Sequence, residues 1–263
     1  MTPKDTITKI TKWIKTYATK NKIETLVVGI SGGIDSSVVS TLCAQTGLPT
    51  IVVQMPIRQN KKLDNLSSAH GAWLTDRYPN VTYMNMDLDQ VFDSFEKTVG
   101  PFCSSEQEPN PQEQLAFANS RARLRMMTLY AVAQSHNGIV VGTGNKVEDF
   151  GVGFFTKYGD GGVDISPIGD CFKTRVWGMG DELGLLPEIV KAVPTDGLWE
   201  DGRSDEDQLG MSYRDLEYAM QISRVTNGGL PTGGPLRKIV KQYQEIRAQN
   251  MHKMKPIPVC KLG

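Results

Sequence analysis

The residues best suited to chemistry follow the first apolar run of the chain. That run, Thr25–Ile30, leads directly into Ser31-Gly32-Gly33-Ile34-Asp35-Ser36-Ser37. Adjacent glycines let the backbone turn tightly, so that successive N–H groups can point at one anion, and a helix beginning there adds the positive end of its dipole. The segment therefore predicts a phosphate-binding loop between a strand and a helix.

Asp35 is unexpected in such a loop, because a bare carboxylate repels phosphate. The loop lacks the Gly-Lys-Ser/Thr ending of a Walker A motif, and it lacks the G-x-G-x-x-G pattern of a dinucleotide fold. Magnesium would reconcile the carboxylate with phosphate, since it takes one or two carboxylates together with phosphate oxygens. We therefore expect the loop to hold a magnesium-bound polyphosphate.

A second group of polar residues follows the apolar run at 139–142. Thr143 and Glu148 stand five positions apart, the glycine-rich stretch 153–164 comes next, and Lys173 and Thr195 lie further along. Long loops inside a compact domain are uncommon and are usually functional. We expect this stretch to contribute to the same site as the phosphate loop.

The elements that would position these residues alternate between strands and helices. Strands are expected at Thr25–Ile30, Thr50–Met55, Val81–Met86 and 139–142, and helices at 7–17, Asp35–Gln45, Leu63–Tyr78, Glu113–Ser135, Tyr213–Thr226 and Pro235–Asn250. Continuous apolar strands separated by helices predict a doubly wound, mostly parallel α/β sheet with helices on both faces. Such sheets bind ligands at the carboxyl ends of their strands. No linker interrupts residues 1–263, so one domain is expected.

Composition narrows the class of protein. The 263 residues carry 29 Lys and Arg against 29 Asp and Glu, so no global charge attracts nucleic acid or an anionic membrane. The four cysteines are scattered without Cys-x-x-Cys spacing, which favours reduced thiols over a zinc site or a disulfide framework. Without an apparent signal peptide or a bilayer-spanning stretch, the expected location is the cytoplasm.

The two motifs resemble those of known enzymes. Ser31-Gly32-Gly33-Ile34-Asp35-Ser36 resembles the SGGxDS motif of the N-type ATP pyrophosphatases, which have an adenine nucleotide alpha hydrolase-like fold. The run Gly153-Phe154-Phe155-Thr156-Lys157-Tyr158-Gly159-Asp160-Gly161-Gly162, preceded by Gly142-Thr143 and Glu148, closely resembles the ammonia-dependent NAD synthetases. This second resemblance is the more specific one and covers nearly the whole chain, although the chain has one residue more between Glu148 and Phe154 than some members.

The resemblance implies a homodimeric ligase that uses ATP, ammonia and deamido-NAD. It implies ATP contacts from Gly29, Ile30, Ser31, Gly32, Gly33, Ile34, Asp35, Ser36, Thr143, Lys173 and Thr195, and magnesium ligands Asp35 and Glu148. Deamido-NAD contacts would come from Arg123, Lys157, Asp164, His252 and Lys253, and Asp35, Lys173 and Asp164 would be catalytic. We expect Asp164 to orient or deprotonate ammonium.

Two other functions are weighed against this interpretation, a tRNA-modifying enzyme and a nucleotide sensor. A tRNA-modifying pyrophosphatase would be expected to show a basic surface or catalytic cysteines, and a nucleotide sensor without turnover would have less need of both Asp35 and Glu148. Because the phosphate loop begins near residue 29, we expect no room for a glutamine amidase site, and hence free ammonia or ammonia from a separate protein. The acidic residues 201–207 are expected to be a solvated segment or lid rather than a metal site.

Overall fold

The fold is built on a parallel sheet. The computed structural model describes residues 1–59, 61–103, 110–195 and 204–262. Its strands are β1 Thr25–Ile30, β2 Thr50–Gln54, β3 Val81–Asn85 and β4 Gly138–Val140. They lie in the order β3-β2-β1-β4, and all pairs are parallel. The predicted doubly wound α/β fold is confirmed.

Helices cover both faces of this sheet. Before β4 they are α1 Pro3–Lys20, α2 Ile34–Gln45, α3 Lys61–Arg77, α4 Asp89–Cys103 and α5 Pro111–Ser135; after it come α6 Lys173–Glu182, α7 Pro187–Val190, α8 Asp205–Leu209, α9 Tyr213–Val225 and α10 Gly234–Met254. Helices α1, α2, α3 and α6 lie on one side, and α4 and α5 on the other. No helix in the described ranges is both long enough and apolar enough to cross a membrane.

The residues of β1 explain why helices lie on both sides. Leu26 and Val28 enter the core beneath α1, α2 and α6, whereas Val27 enters the core beneath α4 and α5. Successive strand residues point to opposite faces, so a strand apolar at every position must be covered twice. This arrangement places the carboxyl end of β1, and the loop after it, at one edge of the sheet.

Several boundaries differ from those expected. The fourth strand begins at Gly138 and ends at Val140, and Val141 forms an isolated parallel bridge with Ile165. The sequence patterns predict no element at α4 or α6. They also predict a loop for the stretch after Gly142, whereas Glu148–Val152 forms a π-helical turn that packs with α9 and α10 in a separate apolar cluster. Of the segment 201–207, which was expected to be solvated, Asp205, Glu206 and Asp207 form the first turn of α8 and Asp205 is buried, whereas 201–203 lie outside the described residues.

Candidate active site

The loop between β1 and α2 is organised by its serines and glycines. The Ser36 hydroxyl accepts the Ser31 N–H at 3.2 Å and donates to the Gly33 carbonyl at 3.1 Å. Gly33 is the N-cap residue of α2 and supplies no side chain to bond the first N–H groups of the helix. Those donors and the helix dipole are therefore available to an anion.

Gly32 holds this loop close to α3. Its φ is +82°, in the left-handed region, and a Cβ at this position would lie 2.5 Å from the Leu63 carbonyl oxygen. On the same side, the Ser67 hydroxyl donates to the Ile30 carbonyl at 2.9 Å. The turn thus requires glycine both for its backbone angle and for its close approach to α3.

A buried lysine joins the two halves of the site. Lys173, the first residue of α6, is 2% exposed and forms ion pairs with Asp35, near the start of α2, and with Glu148, where the Nζ–Oε1 distance is 2.9 Å. Asn145 supports the same group, because its side-chain oxygen accepts the Val147 and Glu148 N–H groups at 3.0 and 3.2 Å. Residues far apart in the chain therefore meet around one ammonium group.

The electrostatics of this group follow from burial and from its unequal charges. Burial raises the pKa of Asp35 to about 6, although Lys173 opposes the rise. Burial also opposes ionisation of Glu148, but attraction to Lys173 and hydrogen bonds from Tyr213 and Lys173 hold its pKa below the usual value. Burial alone would lower the pKa of Lys173, whereas the two carboxylates raise it above its usual value. Asp35 and Glu148 thus share the single ammonium of Lys173, so the three side chains together carry an excess of negative charge when both carboxyl groups are ionised.

The donor chemistry of this group fits magnesium. No set of three or more metal-binding His, Cys, Asp or Glu side chains occurs within the described residues. Magnesium, however, is commonly held by one or two carboxylates together with substrate phosphate oxygens. Asp35 and Glu148 lie beside the phosphate loop and carry more negative charge than Lys173 balances, so they suit such a shared site.

A pocket of 380 Å³ opens above the loop and the buried lysine. Of the expected site residues, those lining it are Gly29, Ile30, Ser31, Gly33, Ile34, Asp35, Ser36, Thr143, Glu148, Lys173, Thr195 and Lys253. Gly32 lies behind the loop against α3. Except for Gly32, the expected ATP and metal residues therefore line one cavity.

Most residues expected to contact deamido-NAD lie outside this pocket. The Arg123 guanidinium donates to the Lys157 carbonyl at 3.3 Å, and the Lys157 ammonium donates to the His252 carbonyl at 3.3 Å. Lys253 donates to the Gly153 and Phe155 carbonyls, each at 3.0 Å. Helix α5, the glycine-rich loop and the end of α10 are thus joined by hydrogen bonds from three basic side chains to main-chain carbonyls.

Asp164 occupies a different position, beside β4. Its Oδ2 accepts the Val140 N–H at 2.8 Å, and its Oδ1 accepts the Tyr130 hydroxyl at 3.1 Å. It does not line the pocket, which its neighbour Val163 does. Within one chain, Asp164 therefore supports the end of β4 and is not grouped with Asp35 and Lys173.

Several residues of the site were not predicted from the sequence. Asn145 and the pocket-lining carboxylates Asp149 and Asp160 stand inside the motif region but were given no role. Burial raises the pKa of Asp149 well above its usual value. Tyr213 donates to Glu148 from α9, a helix distant in sequence, and no local pattern marks it.

Together, the parallel sheet and the glycine-rich loop at its edge are those of a nucleotide-binding α/β protein. The family model described as NAD synthase matches residues 6–256, and the chain belongs to that family. It is 34% identical to the NH(3)-dependent NAD(+) synthetase of Carboxydothermus hydrogenoformans, over 95% of this chain and 94% of the relative. It is 37% identical to the synthetase of the same name from Alkaliphilus oremlandii, over 98% and 97%. The family match and these relatives confirm the prediction of an ammonia-dependent NAD synthetase, a ligase.

Solved structures show the same architecture. The chain superposes on an NMN synthetase from Francisella tularensis with a TM-score of 0.83 and 28% identity, covering 100% of both chains. It superposes on an NH3-dependent NAD synthetase from Campylobacter jejuni with a TM-score of 0.77 and 24% identity, over 99% and 100% of the two chains, and this likeness shows the fold alone.

Proposed function

We propose that this protein amidates deamido-NAD with ammonia, at the expense of ATP, to give NAD, AMP and pyrophosphate. The proposal depends on the burial of Lys173 between Asp35 and Glu148, beside a phosphate loop formed by serines and glycines. This arrangement suits a nucleotide polyphosphate, and the curated relatives supply the substrate class.

ATP would occupy the 380 Å³ pocket with its phosphates at the start of α2. The β and γ phosphates would meet the N–H groups around Gly33 and the hydroxyls of Ser31 and Ser36. Thr143 and Thr195, which line the same cavity, would contact the rest of the nucleotide. The loop then retains pyrophosphate as the leaving group.

Magnesium would be held by Asp35 and Glu148. When bound, it supplies charge neutralisation for the phosphates and for the departing pyrophosphate. Lys173 keeps the two carboxylates together and adds a positive charge of its own beside the loop.

The reaction divides into two balanced steps. A nicotinate carboxylate oxygen attacks the α-phosphorus of ATP, the bond to the bridging oxygen breaks, and pyrophosphate leaves with that electron pair. Ammonia then attacks the acyl carbon, the bond to AMP breaks, and one proton is lost from nitrogen. Both steps rely on orientation and charge neutralisation by the site.

Deamido-NAD would lie along the basic side chains Arg123, Lys157, His252 and Lys253. The proposed role of Asp164, to orient or deprotonate ammonium, requires the dinucleotide to extend from the pocket to the position beside β4 where Asp164 lies. We further propose that residues 1–263 act as one catalytic domain, in a cytoplasmic homodimer whose interface adjoins the dinucleotide site.

Pyrophosphate release measured with ATP, deamido-NAD and ammonium, each omitted in turn, tests the proposal. We expect AMP and pyrophosphate in equal amounts, dependent on both co-substrates, and NAD as the third product. Formation of ADP and orthophosphate, or no response to deamido-NAD, contradicts it. A tRNA-modifying enzyme or a nucleotide sensor would leave deamido-NAD unchanged in the same assay.

One observation favours a second candidate, the amidation of nicotinate mononucleotide. The Francisella tularensis structure that superposes over the whole chain is named an NMN synthetase. Comparing kcat/KM for nicotinate mononucleotide and deamido-NAD at saturating ATP and ammonium distinguishes the two. If kcat/KM is higher for nicotinate mononucleotide than for deamido-NAD, the mononucleotide is the principal substrate.

A further inference from the structure

Tyr213 is a fully buried tyrosine whose hydroxyl reaches the candidate metal site from another part of the chain. It is the first residue of α9, and its side chain is 1% exposed. Its hydroxyl lies 2.5 Å from Glu148 Oε1 and 2.9 Å from Asp205 Oδ2. Neither the sequence motifs nor the proposed reaction assigns it a role.

The ring is fixed by its surroundings. Trp177 packs against it edge-on, with ring centroids 5.8 Å apart, and the Lys173 ammonium lies 4.9 Å from the ring centroid. The Tyr213 main-chain N–H donates to Glu206 Oε1 at 2.8 Å. The position of the hydroxyl is therefore fixed by contacts to both the main chain and the ring of Tyr213.

The hydroxyl and Lys173 converge on the same oxygen of Glu148. Oε1 accepts the Lys173 ammonium at 2.9 Å and the Tyr213 hydroxyl at 2.5 Å, whereas Oε2 takes part in neither bond. Two donors on one oxygen fix the rotation of a carboxylate. They also distinguish the two carboxylate oxygens, because both donors meet Oε1.

The hydroxyl has one proton and two acidic neighbours. The hydroxyl is within donating distance of both carboxyl groups, and the shorter distance, to Glu148, favours that acceptor. Asp205 is tied through its N–H to the Pro194 carbonyl at 3.0 Å, next to Thr195. Asp205 therefore places a second carboxyl group beside the Tyr213 hydroxyl.

We propose that Tyr213 is a positioning residue, which together with Lys173 fixes Glu148 so that Oε2 is its ligand oxygen for the divalent cation of the metal–nucleotide complex. The inference rests on the proposed metal role of Glu148. Outer residues that orient a ligating side chain commonly change metal affinity or activity about 10- to 100-fold when removed.

Tyr213→Phe is the direct test, because it keeps the ring contacts with Trp177 and Lys173 and removes only the hydroxyl. Binding of Mn²⁺ would be followed by the EPR signal of the free ion, with the full chain and a non-cleavable α,β-methylene ATP analogue. We expect the dissociation constant for Mn²⁺ to rise about 10-fold. In turnover, the apparent KM for Mg²⁺ should rise similarly, while kcat at saturating Mg²⁺ changes less than about threefold.

Tyr243→Phe is the matched control. Tyr243 is 3% exposed, belongs to the same apolar cluster, and lies next to Arg247 rather than Glu148. We expect its Mn²⁺ affinity to remain within about twofold of the wild type. Equal Mn²⁺ affinities of wild type and Tyr213→Phe would overturn the inference, whatever their melting temperatures.

Asp205→Asn is the second variant, and it decides the question if Tyr213→Phe does not fold. Glu148 keeps both donors in it, so Mn²⁺ affinity should stay within about threefold of the wild type. A fall of about 10-fold would instead make Asp205 the ligand and would overturn the inference. If the wild type itself binds no Mn²⁺ with the ATP analogue, the proposed metal role of Glu148 fails before Tyr213 is tested.

Discussion

Acid should destabilise this protein through one buried histidine behind the phosphate loop. His70 lies on α3 with no solvent exposure, its Nε2 is 2.9 Å from the Ser40 hydroxyl on α2, and its ring stacks on Trp73 at 5.7 Å. Its Nδ1 is buried and meets no hydrogen-bond partner among the residues the structure describes. The site therefore suits the neutral ring and offers no counter-ion to the imidazolium.

The magnitude follows from its pKa. Burial lowers the pKa of His70 from 6.5 to about 4. The unfolded chain therefore takes up a proton near pH 6.5, whereas the folded chain does so only near pH 4. The contribution of neutral His70 to stability is complete above pH 6.5 and is lost as the pH falls toward 4. At about 1.4 kcal/mol for each pKa unit, the loss amounts to about 3 kcal/mol.

Urea unfolding at a series of pH values between 4.5 and 7.5 would measure this loss. We expect the free energy of unfolding of the wild type to fall steeply below pH 6.5, and that of His70→Gln to fall by about 2.5 kcal/mol less between pH 7.5 and 4.5. His136→Gln, at an exposed histidine, should keep the wild-type pH dependence. Parallel pH dependences for His70→Gln and the wild type would refute the reasoning.

Three further changes test the loop, the buried lysine and Asp164. Gly32→Ala should lower the free energy of unfolding by about 1–3 kcal/mol, because φ is +82° and the Leu63 carbonyl is too close for a Cβ, and calorimetry should show weaker ATP binding. The control Gly47→Ala, at φ +76° with no atom nearby, should destabilise the protein less and leave ATP binding unchanged. Lys173→Met leaves two buried carboxylates without their ammonium, so unfolding should become about 3–5 kcal/mol easier and pyrophosphate release should be lost, which thermal melts and the release assay would show. Asp164→Asn should lower kcat at saturating ammonium about 100-fold or more if Asp164 deprotonates the nucleophile, and near-normal turnover would remove that role.

The sequence predicted those strands and helices whose apolar residues recur at regular spacing. The run Thr25–Ile30 is apolar at nearly every position, so the first strand was predicted at its observed boundaries. The π-helical turn at Glu148–Val152 was not predicted, because Gly151 and the left-handed Gly153 at its end resemble a loop. Packing against α9 and α10 stabilises it. Helix α6 was missed for a similar reason: Gly178 and Gly180 weaken its local preference, and Gly180 approaches the Ile34 side chain within the fold.

The sequence by itself determined the strand–loop–helix unit around Gly32, the acidic residue within it, and the resemblance that led to the NAD synthase family. These depend on contiguous residues, whose backbone preferences and spacing are visible in one stretch. Only the tertiary structure decided that Lys173 lies between Asp35 and Glu148, that Tyr213 reaches Glu148 from α9, and that Asp164 lies beside β4. Long-range packing brings such groups together, and burial then sets their pKa values and their hydrogen-bond partners, so no local pattern encodes them.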